Sequence, residues 1–157
     1  MAIKPLREIN DQQKEKIVEV VKELLDRHKE IKFALLYGSF VNPDIQGKYG
    51  DIDIGLYIEP DQLNTYTYIL ESNIEAEAYS LLSSKGLNIV PVEAVLLNHA
   101  PIFFVSKLLK GRYLILKEDE EALTNFIEEV GEKAMDNYHL RIESIGELVG
   151  ETYVESG

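Results

Sequence analysis

Two short apolar runs, each with a polar signature at one end, constrain this chain more than any other feature. The first, Leu35-Leu36-Tyr37, stops at Gly38-Ser39-Phe40; the second, Ile54 to Ile58, is opened by Gly50-Asp51-Ile52-Asp53. Apolar runs of this length bounded by turn residues read as strands. On a strand, residues i and i+2 share a face, about 6–7 Å apart. Asp51 and Asp53 therefore converge on one spot, while Ile52 and Ile54 turn into the core. Two carboxylates held side by side repel each other unless a cation sits between them. Hard oxygen ligands of this kind suit Mg²⁺, which takes one or two carboxylates together with substrate phosphates. Gly38 lets backbone N–H groups approach a phosphate closely, and Ser39 can start a helix whose N-terminus favours anions. The plain structural alternative is a Gly-Ser turn beside an exposed strand end with two solvated acids.

The rest of the chain alternates helical and strand patterns. Asn10 or Asp11 caps a first helix whose apolar positions Ile17, Val18, Val21, Leu24 and Leu25 carry it to about Lys29. Phe33 to Tyr37 reads as a buried strand, Phe40 to Asp44 as a short helix broken at Asn42-Pro43, and residues 45–50 as a polar loop. Asp51 to Ile58 is the second strand. Residues 62–85 read as helical with an irregular start, and Gly86 is a natural C-cap. Asn88 to Leu97 is a strand interrupted by Pro91. Pro101 to Lys110 is a helix with Pro at its start and Gly111 at its end, and Arg112 to Lys117 is a last short strand. From Glu120 to about Val149 runs a long helix, with Gly131 and Gly146 as possible bends. Such alternation argues for helices packed on a small sheet.

The strand over residues 89–97 carries one acid, Glu93, in an otherwise apolar run. A lone buried carboxylate is costly unless paired or metal-bound; the plain alternative is an edge strand that faces it to water. Composition narrows the options further. With 157 residues, 45% of them hydrophobic, the chain is one domain with material for a core. It has no cysteine, hence no disulfide or thiolate metal site. Neither a signal core nor an apolar run of about 18 residues is present, so a soluble cytoplasmic protein is expected. A net charge of −12 repels free DNA and RNA; it suits a basic protein partner or no particular partner. Part of that charge lies in the runs Glu118–Glu121 and Glu128-Glu129, which read first as a solvated helix face. The richness in Glu, Lys and Ile without Cys is a faint thermophile signature.

Gly38-Ser39 followed after residues 40–50 by Asp51-x-Asp53 resembles the nucleotidyltransferase superfamily related to DNA polymerase β. More narrowly, it is similar to the minimal nucleotidyltransferases, the antitoxin half of HEPN/MNT toxin–antitoxin pairs. The spacer is one residue longer than that family's usual ten, and Gly50 stands where many members carry Ser. The family places its third carboxylate on a later strand, in a context that Val92-Glu93-Ala94-Val95 matches, with Glu for the more usual Asp. The resemblance covers roughly residues 10–120. It implies an α/β (α+β) nucleotidyltransferase fold: a small mixed sheet, helices packed on it and a long C-terminal helix. The whole of 1–157 is then one nucleotidyltransferase domain, with a core over about 10–120 and a helical extension over about 120–150. The resemblance further implies that the triphosphate of ATP lies against Gly38 and Ser39, and that Asp51, Asp53 and Glu93 hold two Mg²⁺ ions, Glu93 being the general base or its ligand. AMP would pass to a protein hydroxyl, a tyrosine of a HEPN-type toxin, with release of pyrophosphate.

Two rivals stand beside this reading. One is a non-catalytic module that sequesters its partner, motivated by Glu93, the longer spacer and the acidic surface. The other is a small-molecule nucleotidyltransferase of the aminoglycoside-modifying kind, against which the chain offers no second domain. His28, His99 and His139 lack metal-ligand spacing, so zinc is not expected. Asn98-His99 is placed near the site. Lys107, Lys110 and Arg112 form a tight basic cluster that either meets a phosphate or partner or complements a helix C-terminus. Tyr37 and Tyr57 read as packing residues; Tyr66 and Tyr68, in a polar stretch, either lie over the nucleotide or, the favoured reading, form a helix surface. The far end of the last helix, Ile142 to Val149, either packs on a second subunit or partner or folds back over the domain.

Overall fold

The computed structural model describes residues 5–45 and 47–149, with side chains through Asp136. Its first helix, α1 (Asp11–Asp26), is started by a reciprocal cap. The Gln13 N–H donates to Asn10 Oδ1 at 2.8 Å, and the Asn10 N–H donates to Gln13 Oε1 at 2.9 Å. Ahead of it lies a short strand, β1 (Arg7–Glu8). The chain continues through β2 (Ile31–Tyr37), a 3₁₀ turn (Gly38–Val41), β3 (Lys48–Tyr49), β4 (Ile52–Ile58), α2 (Leu70–Ser84), β5 (Val92–Leu96), α3 (Ile102–Lys110), β6 (Leu114–Lys117) and α4 (Glu120–Val149).

The main sheet has the order β5-β4-β2-β6. β2 pairs antiparallel with β4 and β6, whereas β4 and β5 run parallel, so the sheet is mixed. Strand alternation divides its side chains between two cores. Ala34, Leu36, Ile52, Ile54, Leu56, Val92, Ala94 and Leu96 face α1 and α2. Phe33 and Leu35, with Tyr37 and Tyr57 packed beside them, face α3 and α4. An aromatic group seals this second layer: Phe33 stacks on Tyr57 at 4.8 Å, and Phe126 of α4 meets Tyr57 at 4.9 Å. Gly55 lies on the same face, where a Cβ would come within 3.0 Å of the Leu97 side chain; the bare backbone lets the segment after β5 close down.

β5 is a sheet edge, and its outward N–H groups are covered by carboxylates of α2. The Ala94 N–H donates to Glu75 Oε2 at 2.9 Å and the Leu96 N–H to Glu71 Oε2 at 2.6 Å. Two acids of a mostly solvated helix thus block an edge that would otherwise offer a template for pairing.

Several local expectations are corrected. α1 ends at Asp26, earlier than Lys29: the Arg27 and His28 N–H groups donate to the Leu24 and Leu25 carbonyls in a tightened last turn, and the His28 side chain is held between Glu30 (Nδ1···Oε1 3.0 Å) and Glu77 of α2 (Nε2···Oε2 2.8 Å). The helix expected over Phe40–Asp44 is the four-residue 3₁₀ turn Gly38–Val41, halted because Asn42 precedes Pro43 and is extended. Residues 45–50 are not simply a polar loop: β3 pairs with β1, and Tyr49 is buried. The strand expected over 88–97 shrinks to Val92–Leu96, beginning after Pro91. The expected stripe from Tyr138 to Val149, and His139 and Gly146, fall among side chains outside those described. No helix among the described residues is long and apolar enough to cross a membrane.

Candidate active site

Asp53 is the centre of the site, and the sheet register puts it there. On one side it stands opposite Tyr37 of β2, and on the other opposite Glu93 of β5. All three lie on the α3/α4 face, because their neighbours Leu36, Ile52, Ile54, Val92 and Ala94 are buried on the opposite one. Asp51, two residues before Asp53, shares that face. The result is one cluster of three half-buried carboxylates, Asp51, Asp53 and Glu93, each offering an oxygen within 4.8 Å of the others. Glu93 is thus brought to the two aspartates, not to bulk water at an edge.

The Gly38-Ser39 turn abuts this cluster. Gly38 has φ +81°, a conformation that side chains rarely adopt, and a Cβ built on it would lie 2.6 Å from Asp53 Oδ2. The glycine therefore serves twice: it permits the left-handed turn, and it leaves room for the carboxylate. The turn that begins here is one 3₁₀ turn, too short to act as the helix N-terminus expected at Ser39. What remains for an anion is the exposed backbone of Gly38 and the half-buried Ser39.

Both motifs are pinned from behind by one lysine. Phe40 follows the Gly-Ser pair, Tyr49 precedes Asp51, and their rings meet edge-on at 5.2 Å. Lys14 Nζ of α1 sits over both rings, 4.8 and 4.7 Å from their centroids, and donates to the Tyr49 hydroxyl at 3.0 Å. The irregular chain between the two signatures is thereby anchored at each end.

Tyr37 belongs to the site more than its reading as a packing residue suggests. Burial, then the charges of Asp53, Glu93 and Asp51, push its hydroxyl pKa up to about 12. It is therefore a neutral phenol at any physiological pH. The available signal was its position: it ends the alternation Phe33, Leu35, Tyr37 on the face that carries the acids. Its ring meets Phe104 of α3 edge-on at 5.8 Å. Beyond that ring opens a cavity of about 590 Å³ whose lining includes Tyr37, Gly38, Phe104, Lys107 and Arg112. The basic cluster is thus split: Lys107 and Arg112 line this cavity and Lys110 does not.

Asn98 is corrected. It clamps the end of β4 remote from the acids, accepting from the Ile58 N–H at 3.0 Å and donating to the Ile58 carbonyl at 2.9 Å. Asp53 and Ile58 are five residues apart on one strand, about 17 Å at strand rise. His99 lines a separate cavity of about 440 Å³ with Tyr68 and Phe104. Tyr66 and Tyr68 are exposed, but on the turn and 3₁₀ segment ahead of α2 and not on a helix surface.

Three carboxylates thus converge beside a glycine turn, on a small mixed sheet with helices on both faces. The model of the family described as "Polymerase beta, Nucleotidyltransferase" matches residues 19–121, and the chain belongs to that family. Among solved structures it is similar to a chain of the tri-AMPylated Shewanella oneidensis HEPN toxin in complex with MNT antitoxin. The two are 18% identical with a TM-score of 0.58, over 90% of this chain and 100% of that one. A toxin–antitoxin structure with AMP-PNP matches at 18% identity and TM-score 0.59, over 87% and 98%. The toxin–antitoxin MntA-HepT matches at 16% and 0.56, over 90% and 100%. No curated protein sequence matches the chain.

The donor set fits a hard divalent cation: three carboxylates and no sulfur or imidazole. Mg²⁺ binds oxygens at about 2.0–2.1 Å, so ligand oxygens on one ion lie up to about 4.2 Å apart. Separations within 4.8 Å need only small side-chain rotations to close on an ion.

Proposed function

We propose that the chain is a minimal nucleotidyltransferase that transfers AMP from MgATP to a hydroxyl of a HEPN-type toxin, acting as the antitoxin of the pair in the cytoplasm. The observation that carries this reading is the convergence of Asp51, Asp53 and Glu93 at a glycine that only the absence of a Cβ allows against Asp53. The structural likeness to toxin–antitoxin complexes, one with an AMPylated toxin and one with an ATP analogue, supports the choice of donor and partner.

In this reading Asp51, Asp53 and Glu93 hold two Mg²⁺ ions, which when bound would neutralise charge on the reacting phosphate and on the attacking oxygen. Gly38 and Ser39 lie along the triphosphate through backbone N–H groups and the serine hydroxyl. The acceptor oxygen forms a bond to the α-phosphorus, the bond from that phosphorus to the bridging oxygen breaks, and pyrophosphate leaves. Glu93 receives the acceptor's proton or orients the group that does. Tyr37, opposite Asp53 in the register and in the wall of the adjoining cavity, shapes the pocket.

The test is calorimetric titration of ATP, GTP, CTP and UTP with Mg²⁺, followed by transfer of label from α-labelled ATP to a co-purified HEPN protein. Metal-dependent binding of ATP and labelling of the partner, both lost in Asp51→Asn/Asp53→Asn, is the expected result. Labelling that survives the double substitution, or a folded wild type that binds no nucleotide, overturns the proposal.

A further inference from the structure

We infer that Lys107 and Arg112 bind the β- and γ-phosphates of the donor nucleotide in the cavity beside Gly38. The inference rests on the nucleotidyltransferase reading above and assigns one half of its donor site. Gly38 lies against Asp53 and also lines the cavity, and Tyr37, which stands opposite Asp53 in the sheet register, lines it too, so the cavity adjoins the acidic cluster. A triphosphate laid along Gly38 with its α-phosphate at the carboxylates would have this cavity beside it for its distal phosphates.

Electrostatics asks for cations there. A nucleoside triphosphate carries about four negative charges, and it must approach three carboxylates on a chain of net charge −12. Ions held by the carboxylates offset charge near the α-phosphate; the distal phosphates need their own partners. Lys107, at the end of α3, and Arg112, just past Gly111, supply an ammonium and a guanidinium to the wall. Neither forms an ion pair or side-chain hydrogen bond among the described residues. Asp44 is the one acid in the same lining, and it is exposed. Guanidinium and phosphate match as a fork, and a lysine adds a mobile point charge.

The competing explanation is that these side chains only complement the helix C-terminus. Lys110 discriminates between the two. It lies in the same last turn of α3 and suits the dipole equally well, yet it does not line the cavity.

The experiment titrates MgATP, Mg-pyrophosphate and AMP into full-length wild type, Lys107→Gln, Arg112→Gln and Lys110→Gln. Thermal melts check that each exposed-site variant stays folded. Lys107→Gln and Arg112→Gln are expected to weaken MgATP and Mg-pyrophosphate about tenfold or more each, the scale of losing one charged hydrogen bond. AMP, which lacks the distal phosphates, keeps its wild-type affinity in both, and Lys110→Gln changes none of the three ligands. Unchanged MgATP affinity in both variants, with wild type binding normally, overturns this inference and leaves the nucleotidyltransferase reading intact. An equal loss for AMP also overturns it, because the cavity would then hold the nucleoside end. A wild type that binds no MgATP overturns both.

Discussion

Gly38→Ala isolates the feature on which the site geometry depends. The substitution has two separable effects. The first is conformational: at φ +81°, an alanine sits in the left-handed region at a cost of about 1–2 kcal/mol. For a domain of this size that corresponds to a melting temperature lower by about 2–8 °C. The second is local. The new Cβ would lie 2.6 Å from Asp53 Oδ2, and tolerable contacts begin at 3.0–3.4 Å, so the carboxylate must retreat by 0.4–0.8 Å (3.0 − 2.6 to 3.4 − 2.6). Misplacement of a reacting group by about 1 Å can cost about 10²-fold in rate. Gly86→Ala supplies the control. Gly86 has φ +68° after α2, and its added Cβ meets nothing within 4 Å. Both variants should lose similar stability in thermal melts, while only Gly38→Ala should lose nucleotidyl transfer, by about one to two orders of magnitude, with weakened metal-dependent ATP binding. Near wild-type transfer by a folded Gly38→Ala protein would refute the placement of Asp53 at the reacting centre. Equal activity losses in both variants would trace the effect to general destabilisation.

Three further outcomes follow from the packing. His28 lies between Glu30 and Glu77; burial lowers its pKa, but the hydrogen bonds to Glu77 and Glu30 and their charges outweigh this and raise it. Because the folded pKa exceeds the unfolded one, the pair's contribution is complete below about pH 6.5 and lost as pH rises through the folded value. The melting-temperature gap between wild type and His28→Gln should therefore be wider at pH 6 than at pH 8.5, and a gap independent of pH refutes the linkage. Glu71→Ala leaves the Leu96 N–H of the edge strand without its acceptor and should lower unfolding free energy by about 1–3 kcal/mol in urea titrations; a change under about 0.5 kcal/mol would mean that water substitutes fully. Tyr49→Ala removes a buried ring clasped by Phe40 and Lys14. It should cost about 3–5 kcal/mol, as other buried aromatic truncations do, and lower ATP affinity as well; intact affinity in the surviving folded fraction would show that the pin is dispensable to the site.

Much of the architecture was legible locally because the information is local. The Asn10/Gln13 capping box, the apolar face of α1, Gly86 after α2, and Pro101 and Gly111 around α3 are decided within a turn or two of chain, where periodicity and capping chemistry operate. The period of two along β4 was enough to place Asp51 and Asp53 together on the face opposite Ile52 and Ile54. Tertiary structure decided what lies across from them. Parallel pairing of β4 with β5 set Asp53 beside Glu93, and antiparallel pairing with β2 set it beside Tyr37. A one-residue slip in either register would turn those side chains to the other face. The same holds for residues whose partners are far along the chain. Tyr49 reads as loop because its burial depends on Phe40 and Lys14, Asn98 reads as lying near the site because its partner Ile58 is forty positions away, and Lys107 and Arg112 read as interchangeable with Lys110 because only the tertiary structure sets those two, and not Lys110, around a cavity shared with Gly38. Short-range pattern specifies which face a side chain takes; only the packed sheet and helices, whose contacts span long sequence separations, determine what it meets there.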